Sequence, residues 1–185
     1  MSGAGVRVAT PADRPRVVET VVAAFVADSA FRHFFPDDAT YDHEAGVFAA
    51  YLFDLRVAHS TVWVAGDGAA VAMWEPPGVP GKELRLDLPA GTLARLEAYE
   101  RTVHPALPAA PHWYLGVLAT HPDHAGRRWG RAVMAAGLER AREDGLPAYL
   151  ETTTSGNVAL YERAGWHVDA TVSVDALTVR VMRLG

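Results

Sequence analysis

Apolar positions recur along this chain with two different periods, and the switches between them lay out its elements. Val17, Val18, Val21, Val22 and Phe25 are spaced by three and four residues, which predicts a helix with one face against a core. Thr10, Pro11 and Asp13 precede it as an N-cap, a first-turn proline and an acidic third position. A second stripe, Val47, Phe48, Tyr51, Leu52 and Leu55, predicts a second helix capped by Asp42. Between the two, the connection Phe31 to Pro36 is aromatic enough to line a pocket. Thr61 to Ala65 and Ala69 to Trp74 are apolar runs joined by Gly66, Asp67 and Gly68, residues that tolerate positive φ, so they predict an antiparallel hairpin. Pro76 to Gly81 reads as a loop. Thr92 to Val103 reads as an amphipathic helix with Leu93, Leu96 and Val103 inward, ended by Pro105, Pro108 and Pro111.

The pattern sharpens in the second half. Trp113 to Thr120 predicts a strand, Gly130 to Asp144 a helix and Ala148 to Thr152 a second strand, together a βαβ crossover. Met134, Leu138 and Ala141 share one face of that helix, and Gly145 with Pro147 stops it. A short helix follows over Asn157 to Ala164. Trp166 to Val174 and Thr178 to Leu184 close the chain as an antiparallel pair at the edge of the sheet. With the short alternating run Val6 to Ala9 at the start, these elements predict a mixed α+β fold around one central sheet.

Composition narrows the class. A chain of 185 residues, half of them apolar, suffices for one domain with a single core. It carries no cysteine, which excludes disulfides, thiolate metal sites and a cysteine nucleophile. A net charge of -5 argues against nucleic acid as a partner, because that binding needs a clustered basic face. No apolar run approaches the ~20 residues that span a bilayer, and Met1 to Asp13 lacks an apolar leader segment, so a cytoplasmic protein without a membrane partner is expected.

One local exception to the acidic balance is Thr120-His-Pro-Asp-His-Ala-Gly-Arg-Arg-Trp-Gly-Arg131, which joins the end of a strand to the start of a helix. Free N–H groups and the dipole at a helix N-terminus attract anions, and glycines let a phosphate approach the main chain. Arg127, Arg128 and Arg131 add charge there. A solvated basic turn is the plainer alternative. Further on stands Leu150-Glu-Thr-Thr-Thr-Ser-Gly-Asn-Val-Ala-Leu-Tyr-Glu-Arg-Ala-Gly-Trp166.

Together these two segments resemble the GNAT superfamily of acyl-CoA N-acyltransferases. That family's phosphate loop follows the pattern Gln/Arg-x-x-Gly-x-Gly/Ala, and its members also carry an Asn and then a Tyr-Glu-x-x-Gly-Phe/Trp helix. Val62 to Trp74 and Pro147 to Thr152 add a likeness to an antibiotic-modifying member. The resemblance implies one domain over residues 1–185, with 1–111 contributing the acceptor site and 112–185 the acetyl-CoA-binding core. It implies acetyl-CoA as co-substrate, a small-molecule amine as acceptor, and a monomer or homodimer.

Carried over to this chain, the resemblance places Leu118, Ala119 and Thr120 along the pantetheine arm. Gly126, Arg127, Arg128, Trp129, Gly130 and Arg131 fall on the pyrophosphate, and Asn157 on the facing side of the cofactor, with capping of the short helix that follows Ser155 and Gly156 as its compatible alternative. The chain departs from the pattern at Ala125 and at Arg128, where the family has Gln or Arg and a glycine. Tyr161 falls where the family places the general acid, and a phenol is protonated at neutral pH; a half-buried core tyrosine is the alternative. Glu151, at a strand end, is the candidate base, or else only bonds neighbouring N–H groups. Phe31, Phe34, Trp74 and Trp113 could form an aromatic acceptor pocket or ordinary core. His112, His121 and His124 flank the loop without the spacing of a metal site, so no metal is expected. Two rival readings stay open: a domain that keeps the fold and binds a ligand without chemistry, and an acetyltransferase acting on protein N-termini or lysines.

Overall fold

A computed structural model describes residues 5–79 and 85–185. Within them, β1 (Arg7–Val8), β2 (Val62–Ala65), β3 (Ala70–Glu75), β4 (Trp113–Thr120), β5 (Ala148–Thr152), β6 (His167–Val174) and β7 (Leu177–Leu184) form one sheet. Their order is β1-β2-β3-β4-β5-β7-β6. The β4–β5 pair alone is parallel. It is the pair joined by a crossover helix, α5 (Trp129–Glu143), since parallel neighbours cannot be linked by a tight turn. The expected α+β fold with one mixed sheet and a βαβ unit is the one observed.

Both faces of the sheet are covered. One packs on α1 (Arg14–Phe25), α2 (Ser29–Phe34), α3 (Tyr41–Val57) and α4 (Ala90–Val103), through Val17, Val21, Ala45, Ala49, Phe53 and Leu96. The other packs on α5 and α6 (Ser155–Arg163), through Val133, Met134, Ala141 and Tyr161. Trp74 and Trp113 sit at the centre of this second face, edge to face at 6.4 Å. Gly137 makes room for the first of them: a Cβ there would fall 2.1 Å from the Trp74 Nε1. The hairpin between β2 and β3 has the predicted chemistry, with positive φ at Gly66, Asp67 and Gly68.

The helices of the first half depart from the pattern reading. Phe31 to Pro36 is not a bare connection, because Ser29–Phe34 is helical and Asp28 caps it by accepting from the Ala30 and Phe31 N–H groups. The helix expected from Asp42 begins at Tyr41 with Thr40 as N-cap. Its fully buried face is Ala45, Ala49 and Phe53, and the predicted stripe is only half-buried. This helix is apolar on two sides: small residues let it lie close on the sheet, and the larger ones face elsewhere. Helix α6 starts two residues before Asn157, at Ser155. Of the predicted Pro76 to Gly81 loop, Pro80 and Gly81 lie outside the described residues.

A bulge in β4 controls the centre of the molecule. Met73 pairs with Val117 and Trp74 with Leu115, so Gly116 is left without a partner on β3. The extra residue flips the alternation. Trp113 and Leu115 belong to the α5 face, whereas Val117 and Ala119 belong to the α1 face. Gly116 leaves room there for Arg56, since a Cβ would sit 2.8 Å from one of its guanidinium nitrogens.

Candidate active site

Past the bulge, β4 and β5 part. They are paired only from Trp113–Ala148 to Leu115–Leu150, although β4 runs on to Thr120. The side of β4 that faces β5 is therefore an open strand edge, able to pair with an extended chain of amides. A pocket of about 600 Å³ opens at the divergence, with Gly116, Val117 and Leu118 on one wall and Glu151, Thr152, Asn157 and Tyr161 on the other. Of the three strand residues expected along the pantetheine arm, Leu118 lines it. Ala119 is buried in the α1 face, and Thr120 is paired with Ala70 at the far end of β3.

The basic loop lies beyond that edge. Pro122–His124 forms a single 3-10 turn, Gly126 has φ 78°, and Arg128 caps α5 at φ 61°, ψ 16°. A left-handed arginine costs about 1 kcal/mol or more relative to glycine. The first backbone bond of α5 runs from the Ala132 N–H to the Arg128 carbonyl, at 3.2 Å. The N–H groups of Trp129, Gly130 and Arg131 are thus left over, as an anion site needs. Arg127, Arg128 and Arg131 are exposed. The Trp129 side chain has a different duty: it lies against the Gly66 backbone, where a Cβ would fall 2.2 Å from its ring. His124 stacks on that ring at 5.3 Å and Arg127 lies over it at 5.1 Å, so the indole fastens the loop to the β2–β3 hairpin.

An acyl-CoA cofactor needs an open strand edge for its amides and main-chain donors with positive charge for its phosphates. The chain supplies both, and the residues fit the group. Gly126, Arg127, Arg128, Gly130 and Arg131, with the Trp129 N–H, would hold its phosphates, and Leu118 would lie along its pantetheine arm. Asn157 is exposed on the facing wall and its amide donates to the Thr154 hydroxyl at 3.2 Å. It is not the N-cap of α6, which is Thr154.

Two ionisable groups on the far wall stand out. Tyr161 is buried, edge-on to Trp166 at 5.9 Å, and burial pushes its hydroxyl up to about 12. Glu151 shares the α4-facing side of β5 with Tyr149, and its carboxylate accepts a 2.9 Å hydrogen bond from the Tyr99 hydroxyl. Tyr114 is its other hydroxyl partner. Desolvation raises Glu151 above the ordinary carboxylate range, and the two tyrosine hydrogen bonds pull back against that shift. Some of its surface is still open, because it lies at the floor of the pocket. The bonding to neighbouring N–H groups expected as the alternative is replaced by two phenols from distant elements.

The α2–α3 side of the pocket is closed by Phe31, Phe34, Phe48, Tyr51 and Leu52. Phe34 meets Tyr99 edge-on at 5.0 Å. The four-aromatic grouping expected from sequence is only half assembled. Trp74 and Trp113 face α5 in the opposite core, where the Trp113 indole donates to Asp144 at 2.9 Å: Trp74 shares its side of β3 with Ala70 and Ala72, and Trp113, before the bulge, shares its side of β4 with Leu115. Tyr99, Tyr114, Arg56 and Glu75 were not anticipated. No local motif marks them; the helical spacing of Tyr99 from Leu96 and Val103 is the signal that could have found it. Arg56 is buried, with one guanidinium nitrogen 3.3 Å from Glu75. His112 lines the pocket beside Tyr149, and His121 accepts from the Asp123 N–H. Among the described residues no group of three or more such side chains could hold a metal ion.

Several solved structures share this architecture. One, described as histone acetyltransferase HPA2 and related acetyltransferase from Corynebacterium glutamicum, matches with TM-score 0.70 and 24% identity over 96% of this chain and 93% of its own. The Drosophila melanogaster polyamine N-acetyltransferase, which forms N-acetylagmatine, matches with TM-score 0.71 and 15% identity over 98% and 99%. A mosquito arylalkylamine N-acetyltransferase, like 5b, matches with TM-score 0.65 and 14% identity over 98% and 99%. At such identities the likeness speaks for the fold. The sequence profile of the acetyltransferase (GNAT) family matches residues 27–166, taking in the open edge of β4, the basic loop and Tyr161, and the chain belongs to that family.

Proposed function

We propose that this protein transfers the acetyl group of acetyl-CoA directly to the amine of a small molecule. The observation that carries this reading is one pocket in which the open edge of β4, a phenol whose hydroxyl bonds none of the described residues and a desolvated carboxylate all meet. Residues 112–185 furnish the cofactor side, and residues up to 111 furnish most of the acceptor wall. The resemblance of Val62 to Trp74 and Pro147 to Thr152 to puromycin N-acetyltransferase, an antibiotic-modifying enzyme, also supports a small amine.

Each polar group has a task suited to its surroundings. An alkyl ammonium has an ordinary pKa near ~10 and must lose its proton before it can attack. Glu151 receives that proton, directly or through a water, and its raised pKa makes it a better acceptor than an exposed carboxylate. Tyr99 and Tyr114 keep it oriented toward the pocket. The bound thioester supplies the acyl carbonyl and the thiolate leaving group. Tyr161, neutral at any physiological pH and with no acceptor for its hydroxyl among the described residues, holds the proton that the departing sulfur requires. The three N–H groups at the start of α5 and the arginines around them bind the phosphates and set the register of the arm along β4.

The test is acetyl-CoA and desulfo-CoA binding by calorimetry, followed by a thiol-release assay over a panel of amines. Micromolar binding with amine-dependent thiol release is expected. Binding without release for any amine would instead favour the reading as a ligand-binding domain, whose specific support is the left-handed Arg128 where the family has glycine.

A further inference from the structure

We propose that the pocket selects an acceptor with a second positive charge, a diamine over a monoamine, using Glu75 and Glu100 as the anchor for the distal cation. This inference rests on the acetyl-transfer reading and names its substrate class. Among the described residues, the pocket lining holds four carboxylates, Asp28, Glu75, Glu100 and Glu151, and one arginine, Arg56. Two of the carboxylates are occupied. Asp28 caps α2 through two N–H bonds, and Glu151 is held by the tyrosines.

Glu75 and Glu100 remain. Arg56 cannot neutralise both, because it is held in one place. Its guanidinium lies over Gly116, donates to the Leu52 carbonyl at 3.2 Å and reaches Glu75 at 3.3 Å. The Glu75 side chain keeps 40% of its surface open, and Glu100, 65% open, has only a 3.6 Å contact with His104. Burial raises the pKa of the Tyr51 hydroxyl, Arg56 works against that shift, and Glu100 and Glu75 add to it, so the field of all three charges reaches this phenol in the pocket wall. Tyr51 and Phe48 add aromatic surface, which also attracts cations.

A monoamine gives this arrangement nothing to hold. Its single charge must be removed for attack, and its other end is a hydrocarbon placed against carboxylates that would lose water without gaining a partner. A diamine satisfies both ends at once. One nitrogen is deprotonated near Glu151, and the other stays an ammonium and replaces the water around Glu75 and Glu100 with a charge-assisted contact.

The experiment compares a homologous series of α,ω-diamines with n-alkylamines of equal length. It reads kcat/KM by thiol release, and affinity by calorimetry in the presence of desulfo-CoA. Diamines of the best length should be preferred on the order of tenfold in both readouts. That ratio should collapse toward one in the Glu75→Gln, Glu100→Gln double variant, and fall part of the way in Glu100→Gln alone, which changes only an exposed helix position. Monoamines that match or exceed the diamines, or a ratio that survives both substitutions, would overturn the proposal. A diamine preference in calorimetry without thiol release would uphold this selectivity while defeating the acetyl-transfer reading. Monoamine turnover without any diamine preference would do the reverse.

Discussion

The two sides of the pocket differ in what faces the ligand. On the β4–α5 side it is mostly main chain: an open strand edge, three spare N–H groups and a loop bent by positive φ at Gly126 and Arg128. On the α2–α4 side it is side chains, brought together over long separations. Tyr99 and Glu151 are 52 residues apart, and the Ser29 and Thr153 hydroxyls meet at 2.7 Å across 124 residues. A backbone site tolerates side-chain changes and recognises a group common to many ligands. A side-chain site is altered by single substitutions and can be tuned to one acceptor. The first should therefore govern cofactor binding and the second acceptor choice and rate.

Substitutions can break or sharpen that contrast. The largest effect is expected from Tyr161→Phe, which removes one hydroxyl from the pocket and leaves the main-chain side intact. The kcat should fall about a hundredfold or more with acetyl-CoA affinity unchanged, read by thiol release and calorimetry. An undiminished kcat would return Tyr161 to the role of a core residue. Next is Tyr99→Phe, which removes a hydrogen bond that favours the charged form of Glu151. With it gone the carboxyl pKa rises further, so the acidic limb of the kcat/KM profile should move to higher pH by up to about one unit. A shift to lower pH, or none, would detach Glu151 from the rate.

A smaller effect tests the other side. Arg128→Gly relieves a left-handed side chain but gives up a positive charge near the phosphates. Stability should rise by up to ~1 kcal/mol in a thermal melt, while cofactor affinity falls by less than about tenfold. A complete loss of binding would show that the arginine fork, and not the main chain, holds the cofactor. Smallest is Ser29→Ala, which cuts one exposed hydrogen bond within the α2–α4 side, to the Thr153 hydroxyl. Stability should change by less than about 1 kcal/mol and the acceptor KM by less than about threefold. A larger KM change would mean that this contact closes the pocket.

Much of the backbone was legible in the chain itself. Strands β4 and β5 fall on their predicted residues, and α5 starts one residue early, because strong apolar runs and a Gly-Leu-Pro stop leave little latitude. The β2–β3 turn was legible because three consecutive residues that accept positive φ admit few other structures. The acceptor wall was not. Helix α3 carries apolar side chains on two sides, so its periodicity could not say which one meets the sheet. For Trp74 and Trp113 the pocket and the core stayed open alternatives, because aromatic character does not say which side of the sheet a strand residue faces and no local signal marks the bulge in β4.

The sequence by itself determined the elements, the mixed sheet, the basic turn before α5 and the family, since each depends on residues near one another in the chain. Only the tertiary structure decided which side of the sheet each β4 residue faces, that two tyrosines hold Glu151, and that Arg56 is fixed between Glu75 and Gly116. The physical reason is range. Backbone propensity and turn chemistry act over a few residues, whereas desolvation and charge pairing depend on which distant side chains packing brings together.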